Sequence, residues 1–114
     1  MITKPIPYGR QHITDEDIQC VIDALKSDYL TQGPKIKEFE EAFASYVGCK
    51  YAIAVNHATA GLHLAATALD VNLGDKVIVT PLTFAASANC IRFRGGEVVF
   101  CDVEEDTYLM DIKK

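Results

Sequence analysis

The run His57-Ala58-Thr59-Ala60-Gly61 is the place in this chain where residue type and spacing could do chemistry. It follows the apolar stretch Tyr51-Ala-Ile-Ala-Val-Asn56, which reads as a buried strand delivering small residues to a helix start. The first N–H groups of a helix lack intrahelical partners and sit at the positive end of its dipole, so such a start attracts an anion, and a phosphate suits it well. Ala58 and Ala60 leave room for close approach, and the Thr59 hydroxyl adds a hydrogen bond. The same pattern also fits a core helix capped by Asn56 or Thr59, and the segment alone leaves both readings open. Phe84 follows the next apolar run, where its ring could stack on a flat cofactor or simply fill the core.

Other chemistries find little support. No Gly-x-Gly-x-x-Gly follows the first apolar run and no Gly-x4-Gly-Lys-Ser/Thr occurs, which argues against a dinucleotide fingerprint and a P-loop. Cys20, Cys49, Cys90 and Cys101 form no Cys-x-x-Cys pair, so reduced, mostly buried thiols are expected rather than a zinc knuckle or a disulfide framework. His12, His57 and His63 have no spacing that puts two on one helical face, and no metal site is expected. A net charge of -5 with scattered basic residues argues against a nucleic-acid or anionic-membrane partner. No apolar run is long enough to span a bilayer, and Met1-Ile-Thr-Lys-Pro lacks the apolar core of a secretion signal, so a cytoplasmic location is expected. At 114 residues and 49% apolar content, the chain suffices for one modest domain with a core.

The elements that must hold these residues can be read from period and punctuation. The arm over residues 5–10 carries two prolines and is expected to be extended on a surface. Thr14 then caps a helix with acidic residues in its first turn and a stripe of Ile18, Val21, Ile22 and Leu25, ending near Ser27 or Asp28. After a loop, Pro34 begins a second helix, with Ile36, Phe39, Phe43, Tyr46 and Val47 as its buried face and Gly48 at its C-cap. From there the pattern alternates: strand 51–56, helix 59–69, strand 76–80, helix 84–93 closed by Gly95-Gly96, and strand 97–102. The last strand is apolar from Val98 to Cys101, as a strand covered on both faces would be. This β-α-β-α-β order predicts an α/β fold with right-handed crossovers and a mainly parallel sheet flanked by helices. Ligands of such sheets gather beyond the C-terminal strand ends, here Asn56-His57, residues 81–83 and Asp102, and the phosphate site lies on that rim.

Taken together, the chain resembles the pyridoxal-phosphate sugar aminotransferases of the DegT/DnrJ/EryC1/StrS type, in the fold type I superfamily. The resemblance spans nearly the whole chain. It rests on Ile6-Pro-Tyr8-Gly-Arg10-Gln, Ser27-Asp-Tyr-Leu30-Thr31-Gln32-Gly33-Pro34, Phe39-Glu40, Asn56-His-Ala-Thr59-Ala60-Gly-Leu-His63, Thr83-Phe84-Ala-Ala-Ser-Ala-Asn89 and Val99-Phe100-Cys-Asp102-Val. The arm and the Leu30-Thr31-Gln32-Gly33-Pro34 turn are most similar to the branch that makes UDP-4-amino-4,6-dideoxy-N-acetyl-altrosamine on the way to pseudaminic acid. The implied architecture is the N-terminal part of a large domain: one partial domain over 1–114, with arm and two helices in 1–50 and β-α-β-α-β in 51–114.

The resemblance implies roles position by position. Thr59 and Ala60 match residues that hold the phosphate of pyridoxal 5'-phosphate, and Phe84 matches the aromatic that stacks on its pyridine ring. Tyr8, the turn residues Asp28, Tyr29, Leu30 and Thr31, and His57 match positions of the nucleotide-sugar site, with His57 standing where many relatives carry serine. The implied reaction moves an amino group from L-glutamate to a 4-keto-6-deoxy nucleotide sugar, with the cofactor as electron sink and one lysine as its anchor and proton carrier. In relatives that lysine, and the aspartate that pairs with the pyridine nitrogen, follow the segment matching Asp102, and Lys113 and Lys114 do not match it. No catalytic residue is therefore assigned within 1–114, the isolated chain is expected to be inactive, and a longer, homodimeric protein is expected to carry the activity. Strand 51–56 would be separated from the other two by strands later in sequence, leaving parallel edges open. Two other classes stay distinct from the enzyme: a noncatalytic phosphate- or cofactor-binding module, and a self-associating fragment without cofactor affinity.

Overall fold

A computed structural model describes residues 6–114. Its elements in chain order are α1 (Asp15–Lys26), α2 (Pro34–Val47), α3 (Ala58–Ala68), β1 (Lys76–Val79), α4 (Ala86–Phe93) and β2 (Glu97–Phe100). They fall into two compact units, divided between Ala54 and Val55.

The first unit carries the arm, α1 and α2. Pro5 lies outside the described residues; residues 6–10 are irregular and exposed. Thr14 caps α1 through a reciprocal box. Its hydroxyl accepts from Asp17 N–H at 3.3 Å, while the Asp17 carboxylate accepts from Thr14 N–H at 2.8 Å. Pro34 opens α2 where its missing N–H costs nothing, and Gly48 ends it in the left-handed conformation. The expected buried faces are not buried in this unit. Ile18, Val21 and Leu25 of α1, and Ile36, Phe39, Phe43, Tyr46 and Val47 of α2, are exposed, and only Ala44 of the described residues here is buried. The pattern is amphipathic as expected, but burial also needs a body to pack against, and the unit supplies too little.

Residues 51–56 do not form the expected strand. They pair with no neighbour in a ladder, and a strand exists only as part of one. Within the first unit their anchor is polar: Ala54 N–H donates to Glu40 Oε1 on α2 at 2.8 Å.

The second unit has a core. β1 and β2 are parallel neighbours in register from Lys76 opposite Glu97 to Val79 opposite Phe100, with α4 between them in sequence. Ala66 of α3, Val71, and Cys90 and Ile91 of α4 cluster beneath the sheet, where Val77 and Val98 pack on them. His63 and Phe93 rings meet at 5.4 Å where α3 faces α4. Gly96 enters this core as a necessity of space: a Cβ there would lie 2.8 Å from Ile91 and 2.9 Å from Val71. β1 and β2 end earlier than expected, at Val79 and Phe100, and α4 starts at Ala86 rather than Phe84. β2 is not covered on both faces either, since Phe100 is 63% exposed. Beyond it, Val103 and Met110 form an antiparallel bridge. The thiols are free, but only Cys90 is buried; Cys20 and Cys49 are exposed and Cys101 is intermediate, so the expectation of mostly buried thiols fails. No helix among the described residues is long and apolar enough to cross a membrane.

Candidate functional site

The chemistry of the second unit is concentrated at the start of α3. The N-cap is neither Asn56 nor Thr59 but His57, whose Nδ1 accepts the Ala60 N–H at 3.1 Å. The same N–H is shared with the His57 carbonyl at 3.1 Å, and in the side-chain contact Nδ1 serves as the acceptor, which leaves Nε2 as the ring nitrogen turned to other partners. The His57 carbonyl also accepts from Gly61.

That leaves the N–H groups of Ala58 and Thr59 without a partner among the described residues, together with the Thr59 hydroxyl. Donors, small side chains at Ala58, Ala60 and Gly61, and the helix dipole converge on one turn. The arrangement fits a phosphate. Imidazole is not among the common N-caps, which is why residue preference pointed to Asn56 or Thr59.

Phe84 lies in the loop after β1 and is 78% exposed. Its carbonyl accepts the Ser87 N–H at 3.0 Å, and Thr83 and Ser87 hydroxyls meet at 3.1 Å, which ties this loop to the first turn of α4. An exposed aromatic on a tied loop at the C-terminal end of β1 can stack on a planar ring. At the end of β2, Asp102 accepts from Val103 N–H at 2.9 Å and from Lys114 Nζ at 3.2 Å. Those two partners, the backbone first, hold its carboxyl below the usual carboxylate range, and the Asp102 carboxylate raises Lys114. Lys114 and Asp102 thus form an exposed ion pair.

In the first unit, Asp28, Tyr29, Leu30 and Thr31 share the loop between α1 and α2, and all four are exposed. Ser27 fixes the start of that loop, its hydroxyl donating to Ala24 O at 2.7 Å and to Tyr29 O at 3.1 Å. Tyr8 stands on the arm, fully exposed. The structure thus gathers His57, Thr59 and Ala60 in one turn and Asp28 to Thr31 in one loop, and places Phe84 and Tyr8 on separate segments. Two residues escaped the sequence reading as contributors: Glu40, whose carboxylate anchors Ala54, and His57 as a cap. Both residues stand in motifs that carry the family resemblance, but these two roles depend on contacts rather than on local pattern.

Residues 11–114 match the profile of the DegT/DnrJ/EryC1/StrS aminotransferase family. Among curated relatives, the chain is 45% identical over 106 residues to the spore coat polysaccharide biosynthesis protein SpsC of Bacillus subtilis, covering 93% of this chain and 27% of that protein. It is 46% identical over 102 residues to the UDP-4-amino-4,6-dideoxy-N-acetyl-beta-L-altrosamine transaminase of Campylobacter jejuni, covering 89% and 27%. Among solved structures, Spr1654 of Streptococcus pneumoniae in its PLP form superimposes with a TM-score of 0.87 at 39% identity, covering 93% and 27%. A GDP-4-keto-6-deoxymannose-3-dehydratase with a trapped PLP-glutamate geminal diamine gives a TM-score of 0.89 at 25% identity, covering 96% and 30%. The chain thus spans about a quarter of the length of these curated relatives.

Proposed function

Because this chain belongs to the DegT/DnrJ/EryC1/StrS aminotransferase family, we propose that it forms the N-terminal part of the cofactor domain of a nucleotide-sugar aminotransferase. The observation that carries the reading is the start of α3, where Ala58 and Thr59 N–H groups and the Thr59 hydroxyl have no partner among the described residues and lie beside small side chains. Pyridoxal phosphate is the cofactor named for solved relatives of this fold, and its phosphate suits that turn. Thr59 and Ala60 hold the phosphate, and Phe84 lies against the ring. Bound there, the cofactor supplies the electron sink for moving an amino group between carbon centres.

The remaining steps belong to positioning. Thr59 gives a directional hydroxyl, and the α3 dipole favours the dianion. His57, with Nδ1 engaged by the cap, has Nε2 left for the nucleotide sugar. Tyr8, Asp28, Tyr29, Leu30 and Thr31 line the substrate side. The amino donor in this reading is L-glutamate, supported by the glutamate trapped in the dehydratase relative. The acceptor is a 4-keto-6-deoxy nucleotide sugar, supported by the Campylobacter transaminase, and the pathway builds an amino sugar for a surface polysaccharide, supported by SpsC. Residues 1–114 then form one partial domain without the lysine, inactive alone, within a cytoplasmic homodimer.

The dehydratase relative supports a second outcome, loss of a sugar hydroxyl on the same cofactor. Incubating the complete protein with pyridoxal phosphate, L-glutamate and a UDP-linked 4-keto-6-deoxy sugar separates them. The aminotransferase reading predicts an amino sugar and 2-oxoglutarate in equal amounts, and nothing from residues 1–114 alone. A deoxygenated sugar without a new amine would replace it with the dehydratase, and product from the 114-residue chain would refute the assignment of chemistry to later residues.

A further inference from the structure

All three polar groups of Ser87, in the first turn of α4, are engaged. Its N–H donates to Phe84 O at 3.0 Å, its hydroxyl meets that of Thr83 at 3.1 Å, and its carbonyl accepts the Cys90 thiol at 3.2 Å. The last contact leads inward, because Cys90 is 5% exposed and belongs to the cluster beneath the sheet. Ala86, just before Ser87, is 4% exposed and seats the same turn. The other two contacts reach back to the loop after β1 and bracket Phe84: one falls on its own carbonyl, the other on the residue before it.

The hydroxyl pair does not serve α4 as a cap. The N-cap, Ala85, has no side-chain bond to offer, and the Thr83 hydroxyl meets another side chain rather than a backbone N–H of the first turn. Nor is the pair a large source of stability, since hydroxyls near the surface exchange one hydrogen bond for another with water. Its effect is geometric. Thr83 and Ser87, four positions apart, are held together, and the backbone of Phe84 is fixed between two anchors that lead to the core. Phe84 itself is 78% exposed and fills no part of that core. Stacking on a planar partner costs a side chain its freedom, and a backbone fixed beforehand lowers that cost.

We propose that Thr83 and Ser87 are positioning residues for the cofactor, whose hydroxyl pair fixes the backbone from which Phe84 presents its face to the pyridine ring. Both act through Phe84 without touching the cofactor themselves. The inference rests on the reading that Phe84 stacks on pyridoxal phosphate.

The test titrates the complete apoprotein with pyridoxal phosphate, following affinity and the induced circular dichroism of the bound cofactor, which reports its orientation, with thermal melts alongside. Thr83→Val and Ser87→Ala each remove one half of the pair, whereas Thr83→Ser keeps it. The expected result in either of the first two is a dissociation constant about threefold higher, within the range of one neutral hydrogen bond, together with altered dichroism. Thr83→Ser should match the wild type. Because both substitutions break the same bond, the double variant should be no worse than either single one. A lower melting temperature with affinity and dichroism unchanged would make the pair structural only and overturn the inference, as would additive losses in the double variant. Phe84→Leu separates the inference from the reading beneath it. Unchanged affinity in Phe84→Leu removes the stacking itself, whereas weaker binding in Phe84→Leu with wild-type behaviour in Thr83→Val and Ser87→Ala removes the positioning role alone.

Discussion

The two units of this chain have similar amounts of apolar sequence but use it differently. In the second, β1, α4 and β2 bring Val77, Val98, Cys90 and Ile91 together with Ala66 and Val71, and a small core closes within one stretch of sequence. In the first, α1 and α2 carry equally regular apolar stripes, yet Ile18, Val21, Phe39 and Phe43 stay exposed. A β-α-β unit can cover its own inner face, because the crossover helix returns onto the sheet. Two amphipathic helices joined by a short loop cannot, unless something else offers an apolar surface. Local order in the first unit consequently depends on caps, and in the second on packing.

That contrast is open to direct attack. The largest effect is expected at Ile91, 6% exposed in the core of the second unit, where Ile91→Ala should cost about 2–4 kcal/mol in urea unfolding of the complete protein. A cost near zero would mean that the small core is not what holds this unit. A smaller effect is expected at Thr14 in the first unit. Thr14→Ala should lower the local opening free energy of α1 by about 1 kcal/mol, seen as roughly fivefold faster amide exchange. The smallest is a pH effect on the same cap. The Thr14 N–H, then its hydroxyl, hold the Asp17 carboxyl below the usual carboxylate range. A lowered native value stabilises α1 above the unfolded value, about pH 4, and the contribution disappears as pH falls through the lower native value. Protection factors in α1, which correct the exchange rate for its intrinsic pH dependence, should therefore fall on acidification from pH 5, whereas Asp17→Asn should lack that step; an identical change of protection in both would contradict it.

The same contrast explains what was legible in the sequence. Thr14, Pro34 and Gly48 marked helix ends correctly because capping is decided by residues a few positions apart. The parallel pairing of β1 with β2 was legible too, from apolar runs alternating with a helical pattern. Residues 51–56 read as a strand by composition, but a ladder needs neighbours that no local pattern provides, and their observed anchor is the Glu40 carboxylate. Exposure of Phe39 or Phe100 was likewise unreadable, since periodicity marks which face can be buried and not what covers it. At the candidate site, Thr59 and Ala60 fell where a helix start was expected. The capping contact of His57 and the left-handed φ of Gln32 depend on conformations that residue type does not encode.

The first turn of α3 is the proposed seat of the cofactor phosphate, and a titration of the complete apoprotein with pyridoxal phosphate tests this most directly. Thr59→Val keeps the shape of the side chain and removes its hydroxyl. If that hydroxyl donates to the phosphate, the dissociation constant should rise by roughly 10-fold or more, the factor expected for a hydrogen bond to a charged group. An unchanged dissociation constant in Thr59→Val would place the phosphate elsewhere and contradict the account.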